Sequence, residues 1–431
     1  MAATSLEGAD APQPRTAKAA PRAVGRLRPW QVMIALAALF VVISLARQLS
    51  GGTDLTSVGQ WGGTLSFAMP IGLAGLGGLW AERAGVVNIG LEGMMVLGTF
   101  GGGYVAWHTH SAWLGLLAGI ALGALGGLLH AYLTVTLGVD HIVSGVAINL
   151  LAPGFAAYLS KLAFTTPAAT AQGGGQKQSP PVPGFSRITI PGLSSWLAHL
   201  DAHHWFLVSD LAGLIGGIVT GLSVITVLAV ALLIGSYFVL WRTPFGLRLR
   251  SCGENPTAAE SLGVNVYRYK YAAVLVSGGL AGLGGVFIAM VNSNFFLDGQ
   301  TGGRGYIGLA SMIFGNWRIG GLAAGAGLFG YTDSLQGRAD TTSVHALLLI
   351  VAVLLIGLAL WNGYRRRYLR AGIGLAIGAL VVVWFTATKS LPAEFLVVTP
   401  HITTLLVMGL ASQRLRMPKA DGLVYRRGQG T

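Results

Sequence analysis

Cysteine and acidic side chains are scarce in this chain of 431 residues. Its one cysteine, Cys252, excludes an intrachain disulfide and a cysteine-rich metal site. Only 15 residues are Asp or Glu, and charged residues make up 10% of the chain. An ordinary soluble domain carries about 25%. Two or three soluble domains, which the length alone would allow, could not be kept in solution by so few charges. The phosphate-binding pattern Gly-x-x-x-x-Gly-Lys-[Ser/Thr] is missing, and the nearest stretch, Gly299 to Gly305, has no lysine. His-Glu-x-x-His, Cys-x-x-Cys and Gly-x-Ser-x-Gly are missing as well. No catalytic residue, metal ligand or bound cofactor is therefore expected, and any ATP hydrolysis must belong to a separate subunit. The nine histidines are dispersed.

What fills the chain is apolar: 53% of residues are hydrophobic and 65 are glycine. Disorder needs low hydrophobicity, whereas glycine in apolar sequence suits transmembrane helices, whose backbones approach closely. Read at about 20 residues per crossing, the sequence predicts an all-α polytopic membrane protein with about twelve spans. They lie near 30–48, 57–81, 85–107, 112–137, 141–162, 206–240, 271–292, 304–316, 319–336, 344–362, 371–388 and 395–413. Of these, 304–316 is short and 85–107 is interrupted by polar residues and glycine, so either is expected to be broken or re-entrant. Residues 1–29, with Arg15, Lys18, Arg22, Arg26 and Arg28, read as a disordered basic tail rather than a cleaved signal. Lys and Arg accumulate on the cytoplasmic side of membrane proteins. Alternating spans from a cytoplasmic N-terminus put 21 of the 28 basic residues inside, with both termini there. The net charge of +13 is thus accounted for by orientation and not by nucleic acid.

Two connections exceed ordinary turns. Residues 163–205, rich in Pro, Gly and Thr, form an external loop, and 241–270 an internal one. Within the latter, Asn255 is a good N-cap, Pro256 suits the first helical position, Ala258, Ala259 and Glu260 favour helix, and Gly263 suits the C-terminal stop. The spacing predicts a helix of about two turns on the cytoplasmic face, either a plain connector or a knob for a partner.

The hexapeptide Leu73–Gly78 recurs letter for letter as Leu280–Gly285. Each copy is followed by a polar break and a related run, Ile89–Gly98 and Ile307–Gly315. The assigned topology orients the copies oppositely. Inverted repeats with glycine-interrupted helices point to a transport pathway at their interface. Glu92 falls within a span, where an ionisable group costs about 2.5–3.5 kcal/mol unless it faces a cavity or partner. Asn88, Asn149 and Arg304 are the other polar groups predicted at membrane depth, in a pathway or in helix packing.

These stretches resemble a known family. The Gly253-Glu-Asn-Pro-Thr-Ala-Ala…Gly263 loop is similar to that of ABC permeases of the branched-chain amino acid, ribose and nucleoside group. Glu82-Arg-Ala-Gly-Val-Val-Asn-Ile-Gly-Leu-Glu-Gly-Met-Met95, Ile142–Leu150 and Gly303–Gly315 look most like nucleoside and purine permeases. The resemblance implies a multi-pass plasma-membrane subunit of an ATP-driven importer of nucleosides, nucleobases or another small polar solute such as a sugar. It implies that Glu254, Asn255, Pro256, Ala258, Ala259, Glu260 and Gly263 contact a cytoplasmic ATPase subunit. It further implies a second permease subunit, in a heterodimer, and an extracytoplasmic substrate-binding lipoprotein. Residues 337–390 depart from the pattern as an added pair of spans, followed by a last span and a tail, 414–431. The rival reading is an ion-coupled secondary transporter, for which Glu92 is a lone ionisable group where several paired ones are needed.

Overall fold

In a computed structural model the described residues are 29–338, 341–392, 394, 395, 398, 402 and 415–428. Residues 1–28 and, apart from isolated positions, the expected last span at 395–413 lie outside them. Contacts divide the chain into two units, 1–41 and 42–431. Helix α1 (Pro29–Ser50) begins in the first, and the rest of the description concerns the second.

Sixteen α-helices are present among the described residues. α2 (Val58–Arg83), α3 (Leu91–Thr109) and α4 (Ala112–Ala131, extended by a π turn to Thr136) are followed by α5 (His141–Phe164). A long connection then carries α6 (Pro167–Thr170), strand β1 (Arg187–Ile188) and α7 (Leu193–Ala202). α8 (Val208–Val219), strand β2 (Leu222–Ser223) and α9 (Val224–Arg242) lead into α10 (Pro244–Glu254) and α11 (Pro256–Ser261). α12 (Val266–Phe287, extended to Asn292), α13 (Arg304–Phe314), α14 (Ile319–Arg338), α15 (Thr341–Tyr364) and α16 (Tyr368–Ala387) complete the set.

Seven of these helices are long and apolar enough to cross a membrane: α2, α4, α5, α9, α12, α15 and α16. Of the other five expected spans, 395–413 lies outside the described residues but for isolated positions, 30–48 counts only from Ala37, and α3, α13 and α14 fall short in length or apolarity. The stretch 206–240, expected as one crossing, is two helices. Gly221 takes a left-handed φ of +66°, Ser223 caps α9, and β2 pairs antiparallel with β1, Arg187 opposite Ser223. α13, at 11 residues, is about 16 Å long and reaches only half of a 30 Å hydrocarbon core. The chain ahead of α3 is non-helical from Gly85 to Ile89.

The two hexapeptide copies lie side by side and antiparallel at the centre of the core. A Cβ on Gly77 would fall 2.5 Å from the Ser277 carbonyl oxygen, and one on Gly284 3.0 Å from that of Pro70. Small residues are required where backbones approach this closely. Around this pair the packing is crossed. α12 runs parallel to α3, Gly282 against Gly98 and Val286 against Gly102, and antiparallel to α4, Gly282 against Gly123 and Gly278 against Gly127. α2 does the same with the other triplet: Gly75 meets Gly308 of the parallel α13, while Thr64 and Ala68 meet Gly330 of the antiparallel α14. Each triplet's first helix is thus held by the other triplet's second and third.

α15 and α16 form a hairpin at the periphery. Ala346 and Ile350 of α15 pack with Ala46, Leu55 and Leu335, whereas α16 meets α15 through Gly374 on Ala359 and Gly378 on Ile356. The loop 163–205 is partly ordered by pairing, since the Ser179 N–H donates to the Phe296 carbonyl (2.9 Å) and that of Val182 to Asn294 (2.8 Å).

Candidate translocation core and docking face

The first turns of α3 and α13 meet near the middle of the long helices. Leu91 and Met94 pack with Ala74 and Ala281, one from each hexapeptide copy. Gly308 abuts Gly75. Glu92, in the first turn of α3 and buried, accepts the Gly303 N–H on Oε1 (2.9 Å) and the Gly305 N–H on Oε2 (2.7 Å). Its carboxylate therefore satisfies donors at the start of α13 while sitting at the start of its own helix. Both dipoles favour negative charge at that point. The cost of burying a carboxylate is offset here by two converging helix N-termini.

The break before α3 leaves backbone groups that hydrocarbon cannot satisfy, and neighbouring side chains supply their partners. Asn88 donates to the Ser277 hydroxyl (2.8 Å) and accepts the Gly90 N–H (3.0 Å). Asn149, from α5, donates to the Ile89 carbonyl (2.9 Å) and accepts the Gly93 N–H (2.8 Å). The Val87 N–H donates to His141 Nδ1 (3.2 Å), the Val87 carbonyl accepts from His130 Nε2 (3.0 Å), and Lys270 donates to the Gly85 carbonyl (3.3 Å). Three of the four sequence-predicted pathway residues, Asn88, Glu92 and Asn149, therefore gather at one junction of broken helices. Arg304 opens the capped helix, pairs with Asp333 of α14 (3.1 Å) and lies over the Phe67 ring, 5.7 Å from its centroid.

The residues predicted to contact an ATPase lie away from this junction, at the end of the molecule that carries Arg83. α10 lies against the ends of α2 and α9: Arg250 donates to the Leu240 carbonyl (2.9 Å), and the Arg83 and Arg250 guanidinia both stand over Trp241. Asn255 caps α11, its Oδ1 accepting from the Ala258 N–H (3.0 Å), and Pro256 takes the first helical position. Gly263 closes the helix at φ +80°. Glu254, Asn255, Ala258 and Gly263 are exposed, Pro256 and Glu260 half-buried. Ala259 is buried beneath the helix against Cys252, Val266 and Tyr425. Leu262, the next residue after the helix, is 85% exposed. It is the most protruding apolar side chain on this face, and no sequence motif had pointed to it. Beside it, Phe245, Val264 and Tyr269 line a cavity of about 490 Å³ rimmed by Arg248 and Arg268.

The α10–α11 loop and the junction are joined at a glycine pair. A Cβ on Gly85, the first residue of the break, would lie 3.0 Å from the Gly253 Cα at the end of α10. Around it sits a buried polar cluster that sequence reasoning did not single out: Glu82, Lys270 and Asp421, with the Trp317 indole donating to Glu82. Its members are some 340 positions apart, so no local pattern links them. Burial pushes the Cys252 thiol up to about 11, so the one cysteine is an unreactive core group.

Residues 61–360 match the family described as the branched-chain amino acid transport system / permease component. The guanosine ABC transporter permease protein NupQ of Bacillus subtilis is 33% identical over 375 residues, which is 85% of this chain and 96% of that protein. The nucleoside ABC transporter permease protein NupC of Lactococcus lactis is 33% identical over 369 residues, 84% of this chain and 94% of that protein. No solved structure matches. A helical membrane core without hydrolytic motifs, a match over most of its length and relatives that are themselves permease proteins lead to one conclusion: the chain belongs to the branched-chain amino acid transport system permease family, as a multi-pass permease component of an ABC importer.

Proposed function

We propose that this subunit imports nucleosides or nucleobases, paired with a second permease subunit and driven by a cytoplasmic ATPase that docks on α11. The solute class is supported by the guanosine and nucleoside permeases among its relatives. A binding lipoprotein delivers the solute from outside. In this reading the Arg83 end is cytoplasmic, both termini lie there, and twelve membrane-inserted segments include the half-length α13. The observation that carries it is the crossed packing of α2–α4 with α12–α14. Two oppositely directed triplets, each with a break before its middle helix, are the arrangement expected of an inverted repeat built around a pathway.

The coupling route follows from the contacts. ATP-driven closure of the ATPase displaces α11 and, through α10, Gly253. Gly253 bears on Gly85, and the break from Gly85 to Ile89 leads to the junction at Asn88, Glu92 and Asn149. Tilting one triplet against the other then exposes the pathway to alternate sides. Arg304 and Asp333 stand toward the external side of that junction.

Reconstitution with the ATPase and the lipoprotein tests this. Radiolabelled guanosine should accumulate with ATP and stop when the ATPase is made hydrolysis-dead. Undiminished uptake driven by a proton or sodium gradient would overturn the ATP-driven reading. Uptake of glucose but not guanosine would overturn the solute class.

A further inference from the structure

Residues 415–428 cross the Arg83 end of the molecule as an extended strap, and their contacts are too specific for a passive tail. At its start the Arg416 N–H donates to Asn316 Oδ1 (2.6 Å), in the turn between α13 and α14. That turn holds two consecutive non-glycine residues in the left-handed region, Asn316 (φ +56°) and Trp317 (φ +54°). Such backbone is strained and persists only where surroundings fix it. Here they do so through the Trp317 indole on Glu82 and the Trp317 carbonyl accepting from Arg83. Midway, the Ala420 N–H donates to the Gly253 carbonyl (2.9 Å), at the point where α10 meets the break. Further on, Tyr425 is buried against Cys252, Ala259 and Val266, its ring 5.6 Å from that of Tyr267. Val424 reaches Gly138 in the turn ahead of α5, and Arg427 pairs with Glu260 of α11 (3.3 Å). The last contact is largely exposed and adds little. Pro418, Ala420, Asp421 and Tyr425 are the buried ones.

We infer that this strap is a working part of the coupling device. It fastens α10 and α11 to the α13–α14 turn on one side and the α4–α5 turn on the other, so that a displacement of α11 reaches both triplets together. Asp421 and Tyr425 are its positioning residues. The inference rests on the ATP-driven reading above. Without the strap, α10 and α11 would keep only their seat on the ends of α2, α9 and α12, and the ATPase would turn over without moving the core.

Asp421 shows how firmly the strap is seated. Its carboxyl is buried against the Glu82 carboxyl, with the Gly422 backbone N–H beside it. Burial first, and then Glu82, push Asp421 from 3.8 up to about 9, against a smaller opposing pull from Lys270. Two such acceptors sit together only with a shared proton. The charged or titratable groups around them are Arg83 of α2, Cys252 of α10 and Lys270 of α12. A carboxyl with a raised value favours docking fully below its unfolded value and loses that contribution as pH rises toward about 9. Asn at 421 keeps the shape and supplies a donor in place of the proton.

The test uses the complete importer in proteoliposomes, with three variants: deletion of 417–431, Tyr425→Ala and Asp421→Asn. Solute imported per ATP hydrolysed is measured together with maleimide labelling of Cys252, which the strap covers and which is the one thiol of this chain, scored on the separated subunit. Deletion and Tyr425→Ala should retain the ATPase on purification, hydrolyse ATP, import at least tenfold less solute per ATP, and label Cys252 at least tenfold faster. Asp421→Asn should transport normally, and between pH 6.5 and 8 the labelling rate of its Cys252 should rise less steeply than that of the wild type. Unchanged import per ATP in the deletion, or loss of the ATPase from both disrupted variants, would overturn the inference, since the strap would then be dispensable or serve assembly alone. A wild-type importer that shows no ATP-driven uptake would instead sink the functional reading, and this inference with it.

Discussion

Asn149 and Glu92 each satisfy two backbone groups at once, and the cost of losing them differs accordingly. In Asn149→Asp the Gly93 N–H keeps its acceptor, but the Ile89 carbonyl faces a second acceptor instead of a donor. A buried polar group left unpaired costs about 1–3 kcal/mol. The expected outcome is a melting temperature several degrees lower in detergent, with Asn149→Ala lower still; equal melting points would remove Asn149 from its bridging role. Glu92→Gln keeps an acceptor for one of the Gly303 and Gly305 N–H groups and turns a donor toward the other. Uptake should fall at least tenfold, while Glu92→Asp, which keeps the charge, should lose less. That these residues stand out from apolar helical sequence was legible, because a polar side chain in an apolar run is conspicuous. Their partners were not. Asn149 answers to a break some 60 positions earlier, and nothing in its own neighbourhood says so.

Helix boundaries were legible where caps are local. Asn255-Pro256 and Gly263 mark both ends of α11, and Ser57, Ser111 and Asp140 cap α2, α4 and α5 with their own side chains. Within the apolar run 206–240 the break rests on Thr220 and Gly221, residues common inside transmembrane helices, and on pairing with Arg187 some 35 positions away. A twenty-residue window passes over it. For α11 the sequence marked the helix but could not say which face points outward. Ala259 is its buried anchor, so Ala259→Asp should damage the loop itself, seen as Cys252 becoming reactive to maleimide. Leu262→Asp should leave Cys252 protected yet weaken retention of the ATPase. Burial of a leucine is worth about 1.5–3 kcal/mol, so Leu262→Ala should weaken that association roughly tenfold to a hundredfold. Tight binding by Leu262→Asp would place the docking contact elsewhere on the helix.

For the whole molecule the orientation is directly measurable, because Cys252 is buried and silent. A cysteine placed at Thr189 should react with a membrane-impermeant maleimide from outside intact cells, and one at Arg366 only after the membrane is opened. The reverse pattern would invert the topology. The crossed packing also bears on how the chain is made. α2 leaves the ribosome about 180 residues before α12, and at 5–20 residues per second its glycine face waits roughly 10–40 s for its partner. α3 and α4 wait likewise for α12. Through that interval the first triplet stands in the bilayer with its tightest contacts unmade, exposed to whichever lipid or insertion factor is at hand. A permease cut in the α9–α12 connection should therefore assemble only when both fragments are synthesised together, the earlier fragment being degraded when it is expressed alone.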